Sequence, residues 1–308
     1  MKDNNQKAAF IAVVGRPNVG KSSFVNKAVG QKVAIVSAKP QTTRTRIMGV
    51  LTKGENQLVF IDTPGFHKPK TLLGENMIKA VAAGISDVDA AIFVADASRE
   101  YDGEIPAGEQ ELLGKLSSLG IPVILALNKI DLVKEKEQLL PVISLYSQSF
   151  DFKAIVPMSV KGNDGVEALI KELYAFAKPS PHFFDEETVT DQPERTMVCE
   201  MIREKILRKL DKEVPHGIAV DLERFFEKDN AQGEPILQVS ATIYCEKESH
   251  KGIIIGKGGA MLKRIGTEAR QDIEKFFGCR ANVELWVKVK EDWRNRQGLI
   301  HGFGLDIQ

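Results

Sequence analysis

The sequence predicts a doubly wound α/β domain followed by a smaller α+β domain, and three observations carry that prediction. Short apolar runs separated by helix-length segments recur up to about residue 178, the pattern of a mostly parallel sheet covered on both faces. Residues 179–194 then break the alternation with three prolines, five acidic groups and no sustained period, which is linker composition. From Arg195 onward the order becomes helix, two strands, two helices and a strand. The expected division is therefore a domain over 1–178, a linker over 179–194 and a second domain with a short tail over 195–308.

Composition agrees with this division. The chain has 308 residues, 43% apolar and 27% charged, enough for two cores at roughly 100–200 residues per domain. Its formal net charge is zero, so no global field drives it onto nucleic acid or anionic lipid, and any basic surface is local. Residues 244–296 hold 12 Lys and Arg against 8 Asp and Glu, an excess of +4. Cys199, Cys245 and Cys279 are odd in number and lack histidines at metal-ligand spacing, which argues against a disulfide framework or a zinc site. The apolar run after the polar N-terminus is too short for a span of roughly 20 residues. A cytoplasmic protein is expected, with peripheral contact at the inner membrane face through its basic side left open. Nothing in the sequence demands a dimer, and a monomer is expected.

The apolar runs at 9–14, 58–61, 90–94, 123–127 and 154–158 are read as the strands of the first domain. The first ends at Gly15-Arg16-Pro17-Asn18-Val19-Gly20-Lys21-Ser22, a G-x-x-x-x-G-K-[ST] loop in its required place between a strand and a helix. Glycines let backbone N–H groups, from Asn18 and Val19 through Ser23, close around phosphates. Lys21 brings a cation to the β and γ oxygens, and the Ser22 hydroxyl is suited to Mg²⁺. The second run ends at Asp62-Thr63-Pro64-Gly65, where Asp62 is placed to hold magnesium through water and the Gly65 N–H to approach a γ-phosphate. The fourth ends at Asn128-Lys129-Ile130-Asp131. Asp131 can accept from guanine N1–H and its exocyclic amine, donors that adenine lacks there, so GTP is expected over ATP. Ser159-Val160-Lys161 ends the fifth, where a backbone N–H can meet guanine O6.

These motifs, in this order, resemble the translation-factor-related branch of Ras-like GTPases over about the first 175 residues. Pro40-Gln41-Thr42-Thr43-Arg44-Thr45-Arg46 resembles switch I of the bacterial Era family. That similarity implies Thr43 as the switch threonine that joins the Mg²⁺ shell with GTP, Thr42 being the alternative. One departure bears on hydrolysis: Ras-type proteins place a water-orienting glutamine after Asp-x-x-Gly, whereas Phe66 stands here. Slow intrinsic turnover is expected, and related GTPases with an apolar residue there imply a potassium ion held partly by Asn18. Neighbouring His67 is read as a solvated loop residue rather than a general base. A nucleotide sensor with negligible turnover is the alternative reading.

In the second domain Met197, Met201, Ile202, Ile206 and Leu210 follow helical spacing, and strands are expected at 218–226 and 236–246. A short helix at 249–255 leads into Gly256-Lys257-Gly258-Gly259, then an amphipathic helix carrying Leu262, Ile265, Ala269, Ile273 and Phe276, then a strand at 283–290 with Val283, Leu285, Val287 and Val289 on one face. A G-x-x-G turn between two helices is the loop with which KH domains clamp a nucleic-acid backbone. The element order is similar to that of type II KH domains. Lys251, Lys257, Lys263, Arg264 and Arg270 are candidates for a positive track, the two on the helix face, Lys263 and Arg270, being as well explained by solvation. Trp286 is read as filling a gap in the packing rather than stacking on a base. With both domains in this order the whole chain resembles the bacterial Era family. The resemblance implies a GTPase that binds the single-stranded 3′ end of small-subunit ribosomal RNA and assists late assembly of that subunit.

Overall fold

The computed structural model describes residues 5–65, 71–229 and 232–306; Phe66 and His67 lie outside the described residues. Among the described residues, no helix is long and apolar enough to cross a membrane.

The first domain is built on a seven-stranded sheet in the order β2-β3-β1-β4-β5-β6, with the short β7 beside β1. Its strands are β1 (Lys7–Gly15), β2 (Ile47–Lys53), β3 (Asn56–Asp62), β4 (Ala90–Asp96), β5 (Val123–Asn128), β6 (Ala154–Pro157) and β7 (Lys178–Pro179). The helices α1 (Lys21–Val29), α2 (Leu72–Ser86), α3 (Ala107–Leu119), α4 (Leu139–Ser149) and α5 (Val166–Leu173) complete it. β1, β3, β4, β5 and β6 pair in parallel, while β2 and β7 are antiparallel additions. Residues of β1 alternate between two apolar clusters: Ile11 and Val13 face one, Ala12 and Val14 the other. Burial on both faces is why these strands are continuous apolar runs. β2 is not among the expected strands because Thr52 and Lys53 dilute its apolar content.

Residues 179–194 lie against this domain as a strap rather than hanging free. β7 pairs with β1 through Lys7↔Pro179 and Ala8↔Lys178. Buried Gln57 on β3 accepts at Oε1 from the N–H groups of Phe183 and Phe184, at 2.7 and 3.0 Å, and returns its amide to the Phe184 carbonyl at 2.9 Å. Further on, Thr190 bridges to Gly49 and the Asp191 carboxylate accepts from the Met48 N–H. The bonds use irregular backbone, so no periodicity marks them.

The second domain comprises α6 (Glu194–Lys209), β8 (Ala219–Asp229), β9 (Pro235–Cys245), α7 (Glu248–Ile255), α8 (Ala260–Phe277), β10 (Arg280–Val289) and α9 (Gln297–Gly302). Its sheet runs β10-β9-β8, β8 antiparallel to β9 and β10 parallel to it. The expected α8 positions Ile265, Ala269 and Ile273 are fully buried with Ile202, Ile206 and Ile243 in one core. Trp286 corrects the sequence reading: it is 57% exposed, on the face of β10 opposite to Val283, Leu285, Val287 and Val289, which pack against the core. Period-two alternation puts even and odd positions of a strand on opposite faces, and the core took the odd ones. The buried tryptophan is Trp293, whose Nε1–H donates to the Gly217 carbonyl at 3.0 Å.

Candidate functional site

A cleft of about 440 Å³ opens at the carboxyl ends of β1, β3, β5 and β6, walled by Lys21, Ser22, Thr43, Gly65, Asn128 and Asp131 among others. At its phosphate end the backbone after β1 takes conformations that glycine makes possible. Gly15 has φ +148°, and a Cβ there would stand 2.4 Å from the Val94 carbonyl oxygen. At Gly20, φ is +107° and a Cβ would lie 2.2 Å from Asn128 Nδ2. Gly65 leaves no room either: a Cβ would stand 2.9 Å from the Pro17 backbone.

Lys21, 6% exposed, donates to the carbonyls of Gly15 and Arg16 at 3.1 and 3.0 Å. Burial pushes its amine down to about 8, partly offset by the Asp62 carboxylate. Asp62 is fully buried at the end of β3 and is pushed up to about 6 by desolvation, with Lys21 and the hydroxyls of Ser22 and Thr43 pulling the other way. Ser22 Oγ donates to Asp62 Oδ2 at 2.5 Å, Thr43 Oγ1 lies 3.0 Å from Ser22 Oγ, and Asp62 Oδ1 has no partner among the described residues. Three hard oxygen donors around an orphaned, buried carboxylate oxygen fit a magnesium ion. Thr42 is elsewhere: its hydroxyl bonds to Ser37 and to the Lys39 carbonyl. Of the two neighbours, Thr43 is the one gathered at this cluster.

The base end is braced by Asn128, 3% exposed. Its Nδ2 donates to the Val19 carbonyl at 2.8 Å and its Oδ1 accepts from the Val160 N–H at 3.1 Å, so one side chain ties β5, the phosphate loop and the 159–161 segment together. Asp131 is exposed to the cleft, with Oδ1 held by the Ser159 hydroxyl at 2.6 Å; Ser159 in turn accepts from the Gly162 N–H. Lys129, at φ +69°, pairs with Asp96 at 2.6 Å. Lys161 is exposed beside them and lines the same cleft. Asn18, at φ +65°, donates to the Ala38 carbonyl at 2.6 Å, bringing the phosphate loop against the 32–44 segment.

Sequence reasoning missed Asp96, which orients Lys129, and Asn26, whose amide pins the start of the 32–44 segment through the N–H groups of Val33 and Ala34. An aspartate at a strand end was a visible signal for the first; a helix-interior asparagine offers none.

The G-x-x-G residues form the turn between α7 and α8. Gly256, Gly258 and Gly259 all have positive φ, at +72°, +59° and +80°, and nothing stands within 4 Å of a Cβ at Gly258 or Gly259. An 18-residue helix therefore begins at an open turn whose last two residues carry no side chain. Lys257, Lys263 and Arg264 are exposed and Lys251 is half-buried. Arg264 pairs with Glu268 at 3.4 Å and Lys251 with Glu248 at 3.8 Å, while Lys257 and Lys263 have no ion pair among the described residues. A groove of about 410 Å³ runs from Gly259 between α8 and β10 past Lys263 and Arg270 to Asn282.

A doubly wound sheet with a phosphate-type loop, a carboxylate–hydroxyl cluster and the exposed Asp131 carboxylate at one rim has the architecture of a P-loop guanine-nucleotide-binding protein, here carrying a KH domain. The family model for 50S ribosome-binding GTPases matches residues 10–129, and that for the KH domain matches residues 213–294. GTPase Era of Clostridioides difficile (strain 630) is 47% identical over 298 residues, covering 97% of this chain and 98% of that protein. GTPase Era of Ruminiclostridium cellulolyticum is also 47% identical, covering 97% of each. A crystal structure of Era in complex with MgGDPNP and nucleotides 1506–1542 of 16S ribosomal RNA superposes with a TM-score of 0.92 at 34% identity, over 98% of this chain and 100% of that one. An Aquifex aeolicus Era variant bound to GDP and AlF4⁻ gives the same TM-score, identity and coverage. The chain belongs to the Era family of GTPases. It is a GTPase.

Proposed function

We propose that the chain is a GTP-hydrolysing switch that binds the 3′ end of small-subunit ribosomal RNA and assists assembly of that subunit. The observation that carries this reading is the presence, in one chain, of a guanine-reading cleft and an open G-x-x-G turn beside a basic groove. The likeness to Era held in complex with 16S ribosomal RNA over nearly the whole chain supports it. The domain limits go with it: the GTPase domain at 1–178, the strap at 179–194 and the KH domain with its tail at 195–308. A ribosomal RNA partner calls for a cytoplasmic protein. The basic groove has its use on RNA and calls for no membrane.

In this reading the phosphate loop from Gly15 to Ser23 wraps the phosphates, with Lys21 on the β and γ oxygens. Ser22, Thr43 and Asp62 are the magnesium set; the ion, when bound, neutralises phosphate charge. Asp131 reads guanine, Lys129 walls the base, Asn128 holds the walls together, and the Val160 and Lys161 backbone faces O6. Thr43 and Gly65 are the residues that sense the γ-phosphate. A potassium ion held partly by Asn18 stands in for the missing switch glutamine. On the KH side, Lys251, Lys257, Lys263 and Arg264 line the RNA backbone while Gly256, Gly258 and Gly259 let phosphates reach the α8 N–H groups.

The test is the affinity for a single-stranded RNA matching the ribosomal 3′ end, measured with GDP and with a non-hydrolysable GTP analogue plus Mg²⁺. Tightening by about tenfold or more with the analogue corresponds to about 1.4 kcal/mol of coupling. Equal binding in both states refutes the switch, and no binding refutes the KH role.

A further inference from the structure

The 32–44 segment, which carries Thr43, is held by α6 of the KH domain as well as by its own domain. Glu204, fully buried, accepts from the Val36 N–H at 2.9 Å and from Lys32 at 2.6 Å. Arg208 donates to the Val36 carbonyl at 3.1 and 3.0 Å. Arg203 donates through Nη2 to the Thr42 carbonyl. The segment reciprocates through Arg44, whose guanidinium donates to the carbonyls of Ile218 and His216 at 2.6 and 2.9 Å.

We infer that Arg203 is a positioning residue for the GTP site, supplied by the KH domain and acting through Thr43. The Thr42 carbonyl belongs to the same rigid peptide plane as the Thr43 nitrogen. Holding that oxygen restrains the peptide plane that leads into Thr43, whose hydroxyl stands 3.0 Å from Ser22 and 3.4 Å from Asp62. Arg203 suits the task because it is itself locked: it is 2% exposed and clamped by Glu200 at 2.7 Å through Nε and 2.5 Å through Nη2. Nη2 donates to both the Glu200 carboxylate and the Thr42 carbonyl, so the carboxylate that aligns one of its N–H groups also aligns the other.

A buried ion pair is weak grounds for stability by itself. What separates positioning from mere cohesion is the acceptor, a backbone oxygen one peptide from a residue that senses the γ-phosphate. The GTPase domain thus borrows from the KH domain the contact that completes its triphosphate site, through one hydrogen bond across the domain boundary. The inference rests on the reading of Thr43 as the magnesium-shell threonine.

The experiment uses the full chain with Arg203→Ala, Arg203→Lys and Thr43→Ala, and measures Mg²⁺-dependent affinity for GDP and for a non-hydrolysable GTP analogue, with kcat and KM for GTP. Arg203→Ala is expected to weaken analogue binding and lower kcat by about tenfold, the loss of one charge-assisted bond. GDP affinity stays within about twofold. Arg203→Lys recovers part of the loss. Thr43→Ala reproduces the same selective pattern. If Thr43→Ala is selective and Arg203→Ala is not, the positioning role is wrong. If Thr43→Ala spares the analogue, the underlying reading of Thr43 fails instead. Should Arg203→Ala not fold, Arg208→Ala, a half-exposed residue bonding Val36 on the same segment, gives a smaller loss of the same kind. Equal losses for GDP and analogue mark a purely structural contact and overturn the inference.

Discussion

Asn128 is the residue whose role the geometry states most sharply, and substituting it separates bracing from base recognition. Its amide makes two bonds, both to backbone, at 2.8 Å to Val19 and 3.1 Å from Val160, and it is 3% exposed. In Asn128→Ala a carbonyl and an N–H lose their partner in a buried position, each costing about 1–3 kcal/mol. Taking a total of about 3 kcal/mol, nucleotide affinity falls on the order of 10²-fold. Because neither bond reaches the base, the loss applies equally to guanosine, inosine and xanthosine diphosphates. Asn128→Asp is expected to be worse than alanine: it keeps an acceptor for Val160 but turns a carboxylate oxygen onto the Val19 carbonyl. Titration of a fluorescent diphosphate, displaced by each of the three nucleotides, measures all of this. A variant that loses GDP but retains xanthosine diphosphate refutes the bracing role and makes Asn128 a base contact. A milder effect for aspartate than for alanine refutes the assignment of Nδ2 as the donor.

Three further outcomes follow from the site and the KH sheet. In the proposed site Asp62, raised to about 6, must lose its proton to hold a cation, and Lys21, lowered to about 8, must keep its proton to hold phosphates. Binding therefore releases a proton at low pH and takes one up at high pH, so Mg²⁺–GDP affinity falls below about 6 and again above about 8; calorimetry in buffers of different ionisation heat reads both signs, and a flat profile from about 5 to 9 contradicts the burial argument. Trp286→Ala is expected to change unfolding free energy by no more than about 1 kcal/mol because the side chain is 57% exposed, whereas a core tryptophan costs about 3–5 kcal/mol; urea denaturation decides. Under the proposed potassium role, GTP hydrolysis is expected to be faster in potassium than in sodium chloride, with Asn18→Asp or Asn18→Ala narrowing the difference; equal rates in the two salts, with and without RNA, rule out the potassium role.

Much of the candidate nucleotide site was legible because its signals are short-range. Gly15, Gly20 and Lys21 lie within seven consecutive positions, and a strand end, a tight loop and a helix start are decided by the local backbone. Asp62, Asn128, Asp131 and Ser159 could be placed because each lies at or just beyond the end of an apolar run, and the parallel sheet brings all those ends to one rim. The same holds for the G-x-x-G turn and the apolar stripe of α8. Thr43 needed more: spacing leaves it level with Thr42, and only the fold turns one hydroxyl to Asp62 and the other to Lys39.

What tertiary structure alone decided is the use of charged and irregular segments. Glu204 and Arg203 sit in a helix where charge ordinarily marks the solvated face, yet they are 0% and 2% exposed. Their partners, Val36 and Thr42, are more than 160 positions away in sequence. The acidic, proline-rich strap looks unstructured until Gln57, also buried, captures its backbone. Trp286 looks like core until the register of β10 against β9 turns it outward. The physical reason is common to all three: a periodic pattern reports which side of one element is apolar, whereas desolvating a charge, pinning a loop or facing a side chain outward depends on partners distant in sequence, and those partners meet only once the chain has folded.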